Sequence, residues 1–502
     1  MLTALAVLLR LGPLRPPSLW IDDAWAALII KTHTVHDVLL VGGTAPGFAV
    51  LLKGWLALVG FSELNAQLLP FVIGITTPAL LYVVLRLGGV GRLGASLGAL
   101  VLVASVVHMT YSTRVKQYTL DSFVALIVLA VAWWLIREVE NPRRWWIFTA
   151  TCLAGILLSS TAMAVAASST TIALALLVWR NADRRFVHAA LAPVALTGAF
   201  AVVWWWLVLR PRVDSELKHY WSGYFVPHNQ GLGHAVFIAA RGLKDVGIGV
   251  IPLPTVAAAL VVPAAVATLL LCRNFAGATL LVIGPCGLAV LLALARAVPL
   301  GTGRTDLYLY PGLAMAIGLA VDELRTRSLP LTLLGTAALV AVGVATFKPV
   351  APYPPRDIRP LAQQLELRAS PSDSILVRPD DDFGFGLYAT WPVTFLRADV
   401  ATGFAARIDR PNVHVPLLVP IGLGLRTESW QAAIMRAKKS SLRVWLLVGG
   451  HSLTPRLPRV RARLKRDGFS LDFELDRPGA VLTRWSDQMP SALSSAEHSM
   501  KG

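Results

Sequence analysis

The chain has 502 residues, of which 55% are hydrophobic and only 15% charged, with a mean hydropathy of +0.61. Soluble domains carry about 25% charged residues and disordered chains are poor in apolar ones, so a disordered chain, a coiled coil and an ordinary cytosolic enzyme are excluded in favour of a polytopic membrane protein. Lys and Arg number 46 against 29 Asp and Glu, a net charge of +17; without a recognisable nucleic-acid-binding module, that excess suits membrane-proximal loops facing anionic lipid or a phosphate-bearing substrate.

In chain order, residues 1–12 (MLTALAVLLRLG) read as the second half of a span. They are too short to cross a bilayer and lack the small-residue cleavage site of a signal peptide, so the expectation is that partners complete this helix or, in the preferred reading, that the true start lies upstream of Met1. Residues 20–66 read as one long loop holding two membrane-surface helices, at 22–40 and 46–61. In the second, Phe48, Leu51, Leu52, Trp55 and Val59 recur on one helical face with Lys53 off it. Apolar runs at 67–87, 92–110, 119–137, 144–160, 162–180, 187–209, 252–272, 276–297, 305–323 and 329–347 are long enough, or nearly so, to span. Together these give about eleven transmembrane helices.

The short connectors Arg86–Arg92, Arg137–Arg144, Arg180–Arg185, Arg273 and Asp322–Arg327 then share one side, and each carries arginine as cytoplasmic loops do. The opposite face receives 20–66, 111–118, 211–251, 298–304 and the residues after 348. Beyond Lys348 a Pro-rich linker (APYPPRDIRP) leads to a helix over 356–368, strands at 374–378, 443–448, 470–475 and 480–485, and a basic helix over 455–467. This pattern predicts a small extracytoplasmic α/β domain. The expected division is a transmembrane domain at 1–348, the α/β domain at 349–487, and a polar, disordered tail at 488–502. Cys152, Cys272 and Cys286 lie in or at the ends of apolar runs without metal or redox spacing, so no disulfide framework is expected.

Four polar clusters on the outer face are candidates for chemistry. Asp22 and Asp23 stand between Trp20 and Trp25, just after a span. Acids are common in a first helical turn, but a carboxylate beside a membrane-facing cavity is also partly desolvated and more basic. Adjacent helical side chains do not face each other, so the two have different jobs. Tyr111, Arg114, Lys116 and Tyr118 form a basic, tyrosine-flanked patch that ends at Asp121, which either orients Lys116 or caps the next helix. The readings are a phosphate site or interfacial tyrosines with snorkelling cations. Arg304, in Gly301-Thr302-Gly303-Arg304-Thr305-Asp306, offers a bidentate fork or a simple turn. Tyr220 and Trp221 lie in an aromatic stretch, Glu216 to Pro227, suited to sugar stacking or to an interfacial belt. His33 and His36 have no obvious third ligand, so no metal is assigned.

These pieces together resemble the GT-C superfamily of membrane glycosyltransferases, and most closely the branch of protein O-mannosyltransferases and the lipid A aminoarabinose transferase. In that family an Asp-Glu pair follows the first span in a long external loop with surface helices. Leu19-Trp20-Ile21-Asp22-Asp23-Ala24 resembles this element, with Asp23 in place of Glu. Thr44-Ala45-Pro46-Gly47 stands where the family often has a His/Lys-Pro-Pro element, and Gln67 where it carries Arg. Tyr111 to Tyr118 resembles the next external motif, and Gly303-Arg304-Thr305 with Pro311 a late one. The resemblance covers residues 15–325.

The resemblance implies an inverting glycosyltransferase whose donor is a sugar on a polyprenyl phosphate and whose acceptor is a glycan, lipid or protein hydroxyl outside the membrane. The first acid, Asp22, is then the general base, with Asp23 the alternative. Lys116, Arg304 and Arg114, with Tyr111 and Tyr118, meet the donor phosphate, and Tyr220 and Trp221 the sugar or acceptor. The resemblance implies a bacterial plasma-membrane protein using neither nucleotide nor nucleic acid, and no cofactor is firmly implied. A transporter or lipid flippase is the rival reading. It predicts ionisable groups mid-helix and paired repeats, whereas here charges gather at helix ends and no repeat is seen. A non-catalytic scaffold is the third.

Overall fold

The computed structural model covers residues 1–502 and describes all but 15–17, 181–182, 213–214, 226–230, 252, 273–274, 348–355, 379–380, 399–402, 411–412, 415–417, 422–423, 428–442, 451–452 and 488–502. The first half of the expected linker and the whole expected tail therefore lie outside the described residues. In chain order the helices are α1 (Leu2–Leu8), α2 (Ile21–Ala27), α3 (Val35–Gly42), α4 (Pro46–Val59), α5 (Glu63–Leu87), α6 (Arg92–Ala104), α7 (Val106–Ser112), α8 (Tyr118–Arg137), α9 (Pro142–Leu158) and α10 (Ala162–Trp179). There follow α11 (Arg184–Trp204), α12 (Ser215–Tyr220), α13 (Gly231–Val250), α14 (Thr255–Cys272), α15 (Ala276–Leu294), α16 (Tyr310–Arg327), α17 (Leu329–Thr346), α18 (Arg359–Arg368), α19 (Asp381–Tyr388) and α20 (Leu453–Arg466). The chain divides into two units: Met1–Leu14 with Gly42–Pro352, and Arg15–Val41 with Tyr353–Gly502. The sequence-based boundary at 348 puts residues 15–41 with the spans; the structure groups them with the C-terminal residues, through contacts described below.

The first unit is helical and makes this an integral membrane protein. Among the described residues seven helices are long and apolar enough to cross a membrane, or up to nine if each of two bent pairs is one span. The expectation of about eleven also counted 144–160, which forms the 17-residue α9, and 252–272, whose apolar stretch is the shorter Leu260–Leu271. The N-terminal half-span yields only the seven residues of α1. Residues 92–110, expected as one span, are broken at Ser105 with a 61° bend between α6 and α7. Ser105 leaves helical geometry at ψ 114°; its hydroxyl accepts from His108 N at 3.3 Å and donates to Gly249 O at 2.7 Å. Residues 231–250, read as loop, form the 20-residue α13. In α4 the buried side chains are Pro46, Phe48, Ala49, Leu52 and Leu56, while Leu51 and Val59 of the expected face are exposed. Nearly every position of this helix is apolar, so periodicity alone does not choose the face.

The most buried span is the one containing α16, with 89% of its apolar window inside the protein. It packs on α6 through small residues: a Cβ on Gly94 would stand 2.4 Å from Gly318 O. Small residues at such crossings let backbones approach where lipid supplies no hydrophobic drive. Gly94→Val is expected to lower the thermal-unfolding midpoint in detergent, reflecting about 1–3 kcal/mol of overpacking. Gly198→Ala is the control, because nothing lies within 4 Å of a Cβ there.

The second unit is α/β. Its five-stranded sheet has the order β4-β1-β7-β9-β8, built from β1 (Ser374–Val377), β4 (Val413–His414), β7 (Arg443–Gly449), β8 (Phe469–Arg477) and β9 (Ala480–Asp487). β1 lies parallel to β4 and β7, and β9 antiparallel to β7 and β8. A continuous apolar run such as that of β7 suits a strand covered on both faces. On one side Leu457, Val460 and Leu464 of α20 join Leu376, Leu446 and Trp485 in the core. Asp373 anchors the start of β1, accepting from Trp445 Nε1 at 2.9 Å and pairing with Arg443 at 3.0 Å. The sequence analysis missed α19 and two hairpins, β2 (Val393–Arg397) with β3 (Phe404–Ile408) and β5 (Leu418–Ile421) with β6 (Gly424–Thr427).

Candidate active site

Asp22 and Asp23 belong to the second unit and lie in the first turn of α2. Neither is the N-cap: that residue is Trp20, which makes no side-chain capping bond. Both acids therefore face the positive end of the helix dipole, and they are separated by burial. Asp23 is 2% exposed, whereas Asp22 is half-buried. After α2 a 3-10 turn (Leu28–Lys31) leads to α3, which opens with reciprocal bonds between Thr34 and Asp37: Asp37 N to Thr34 Oγ1 at 3.1 Å and Thr34 N to Asp37 Oδ2 at 3.2 Å. The expected single helix over 22–40 is thus interrupted at 32–34. His33 lies in this interruption and His36 in the first turn of α3, and among the described residues no group of three or more His, Cys, Asp or Glu side chains is placed to hold a metal ion.

The first unit holds the other candidates. Arg114 and Lys116 are buried, at 5% and 7% exposure, in the turn between α7 and α8, where Lys116 N donates to Arg114 O at 2.8 Å. The rings of Tyr111 and Tyr118, at the two ends of this turn, meet edge to face at 4.7 Å. Gln67 Nε2 donates to Thr113 O at 2.8 Å, so the residue standing where the family carries Arg ties down the backbone of the turn. Asp121 does not bond to Lys116: its Oδ1 accepts from Ser159 Oγ at 2.6 Å, joining α8 to the corner between α9 and α10.

Arg10, which the sequence analysis did not single out, follows α1 and holds α7, the helix that leads into this turn. It is fully buried; Nε donates to Ser112 Oγ at 3.2 Å, Nη1 to Ala6 O at 3.1 Å, and Nη2 meets His108 Nδ1 at 3.1 Å. A guanidinium only donates, so His108 Nδ1 is the acceptor and the ring is neutral with its proton on Nε2. The available signal was an arginine inside an otherwise apolar run.

Arg304 sits on a loop built by Asp306. One Asp306 oxygen accepts from Gly301 N at 3.1 Å; the other accepts from Thr302 N at 2.7 Å, Thr302 Oγ1 at 2.9 Å and Gly303 N at 3.1 Å. Gly301 has a φ of 81°, and a Cβ there would stand 2.8 Å from Gly242 Cα, so only glycine lets the loop lie against α13. Leu300 N donates to Tyr224 O at 3.2 Å, which brings the aromatic stretch beside the loop. Arg304 Nη2 then donates to Tyr220 OH at 2.7 Å, and its guanidinium lies 4.4 Å from the Trp221 ring centre. Burial lowers the pKa of Arg304, but electrostatic interaction with Tyr118, Tyr220 and Tyr111 more than offsets it, and the net shift is upward. The structure thus brings Arg304, Tyr220 and Trp221 together, with Tyr118 and Tyr111 within electrostatic reach of Arg304. Tyr220 and Trp221, read as sugar or acceptor contacts, have Arg304 as a neighbour.

Burial pushes the Asp306 carboxyl up to about 6, against the opposing pull of its Thr302, Gly301 and Gly303 bonds. A raised acid pKa means that the folded state holds the proton more tightly, so this group's contribution to stability falls as pH rises from about 4 to about 6 and is flat above. In Asp306→Asn that difference is expected to vanish: plotted against pH, the wild-type minus variant thermal midpoint slopes down across this window and levels beyond it. At neutral pH the variant is expected to loosen residues 301–305, since an amide nitrogen must face at least one of the four donors, at a cost of about 1–3 kcal/mol.

With this geometry established, the chain can be set beside known proteins. Residues 43–206 match the family model of dolichyl-phosphate-mannose-protein mannosyltransferases. No curated protein sequence matches the chain. Among solved structures it is similar to ArnT from Cupriavidus metallidurans in the apo state, with a TM-score of 0.59 at 14% identity over 96% of this chain and 97% of that one. It is also similar to the same protein bound to undecaprenyl phosphate, with a TM-score of 0.58 at the same identity and coverage. The chain has the GT-C fold. As the sequence implied, it resembles the ArnT and O-mannosyltransferase branch of GT-C proteins. The stretch matched by the family model contains the Tyr111–Tyr118 turn, while Asp22, Asp23 and Arg304 lie outside it.

Proposed function

We propose that the protein is an inverting glycosyltransferase that moves a sugar from a polyprenyl-phosphate-linked donor to an acceptor hydroxyl on the extracytoplasmic side of a bacterial plasma membrane. The acceptor is a glycan, lipid or protein, and the C-terminal α/β domain faces the same extracytoplasmic side. The observation that carries the reading is the Arg304 cluster: a permanent cation held by Tyr220 and Trp221 in a GT-C fold. Such a cation suits a leaving phosphate, and the ArnT structure with undecaprenyl phosphate supports the donor class.

In this reading the acceptor oxygen attacks the anomeric carbon while Asp22 takes its proton. The bond from that carbon to the phosphate oxygen breaks, the configuration inverts, and polyprenyl phosphate leaves. Arg304, Lys116 and Arg114 offset the charge growing on the phosphate, where preorganised cations contribute most. Tyr111 and Tyr118 supply hydroxyl donors to its oxygens. The accessibility of Asp22 against the burial of Asp23 supports Asp22 as the base, with Asp23 fixing the helix.

The test is transfer of a labelled sugar from an undecaprenyl-phosphate donor by the purified protein in lipid. Release of undecaprenyl phosphate with formation of an inverted glycoside is expected. Binding of the donor followed only by its movement between leaflets identifies a flippase instead.

A further inference from the structure

The segment that carries Asp22 is held at both ends by the C-terminal residues of its own unit. At its start Leu19 N donates to Tyr388 OH at 2.7 Å, Ser18 Oγ donates to Asp357 Oδ1 at 2.7 Å, and Arg359 N donates to Ser18 Oγ at 3.1 Å. At its end Lys31 Nζ donates to Ala389 O at 2.5 Å. Between these ties the Trp25 ring packs near Phe383 and Phe404, at 6.4 and 6.1 Å between centres. Tyr388 closes α19 and Ala389 follows it. At the other end of α19, Asp381 forms a buried ion pair with Arg356 and accepts from Gly449 N at 2.7 Å. This helix is therefore a strut from the end of the central strand β7 to both ends of the Asp22 segment.

α2 is only seven residues long and lacks a side-chain N-cap bond. A helix that short does not hold itself in water, so its place and orientation come from what it is tied to. Ahead of the helix, on the residue before the N-cap, Leu19 N is held by Tyr388 OH. If that bond is lost, the first turn of α2 can shift, and the carboxylate shifts with it.

We propose that Tyr388 is a positioning residue for the reaction: its hydroxyl fixes the backbone ahead of α2 and so sets where the Asp22 carboxylate stands. The C-terminal domain then belongs to the catalytic apparatus, beyond any part in guiding the acceptor. This rests on the reading of Asp22 as general base. Small displacements of a reacting group are costly, which makes a part-buried tie this close to α2 consequential.

The test uses the full chain in lipid nanodiscs. Tyr388→Phe keeps the ring and removes the hydroxyl. We expect kcat to fall roughly tenfold or more, with KM for the donor and affinity for undecaprenyl phosphate changed by less than about twofold. Amide hydrogen exchange over residues 19–31 is expected to accelerate, with exchange in α16 unchanged. Lys31→Met, which removes the tie at the other end, is expected to act in the same direction. A normal kcat in Tyr388→Phe beside an inactive Asp22→Asn overturns the positioning role alone, whatever the exchange does. A loss of donor affinity at unchanged kcat overturns it as well. Turnover that survives Asp22→Asn overturns the base assignment instead.

Discussion

Asp22→Asn is expected to leave the protein folded and able to bind undecaprenyl phosphate while lowering sugar transfer by about 10²- to 10⁴-fold. The amide keeps the size of the side chain and its place in the first turn of α2 but has no basic oxygen to receive the acceptor proton. The fall should appear in kcat and kcat/KM alike, because proton transfer occurs in the transition state and not in the bound ground state. Asp23→Asn separates the two acids. Asp23 is 2% exposed, so its loss is expected to act on stability, through a buried polar group whose bonding changes, more than on chemistry. An inactive Asp23→Asn beside an active Asp22→Asn moves the base by one residue. Transfer surviving both substitutions ends the general-base mechanism.

Arg304→Ala is expected to lower kcat by about 10²- to 10³-fold, the scale found when one preorganised group that stabilises transition-state charge is removed. The structure adds a finer expectation for Arg304→Lys. A lysine keeps the charge, but it cannot both donate from a planar fork to Tyr220 OH and lay a flat face against Trp221. Its charge is therefore less well placed, and only part of the rate should return. Tyr220→Phe removes one hydrogen bond and leaves the ring; a fall of about fivefold is expected, equivalent to about 1 kcal/mol. If Arg304→Ala raises KM for the donor and leaves kcat intact, the residue holds the ground-state phosphate and does not act on the leaving group.

Much of the fold was legible in the chain because it is written locally. A bilayer requires long apolar helices, and those runs stand out in composition alone; Tyr118–Arg137 and Ala276–Leu294 form the helices expected of them. Strands β1, β7, β8 and β9 were equally plain, since each is a short apolar or alternating run with turn residues at its ends. The adjacent acids at 22 and 23 and the cations at 114, 116 and 304 could be chosen as candidates because charge is rare in such a sequence.

What only the tertiary structure decided depends on contacts between distant residues, which leave no periodic trace. Ser105 breaks its helix in partnership with Gly249, 144 positions away, and Arg304 finds Tyr220 across 84. Helix α13 was read as part of a loop, and it packs on α14, α7 and α16. Residues 18–41 join the C-terminal residues through contacts such as the Leu19–Tyr388 hydrogen bond, across 369 positions, and the packing of Trp25 near Phe383 and Phe404. Apolar periodicity reports how much surface a segment must bury; which partner buries it, and where a lone charge points, is settled only when the chain has closed on itself.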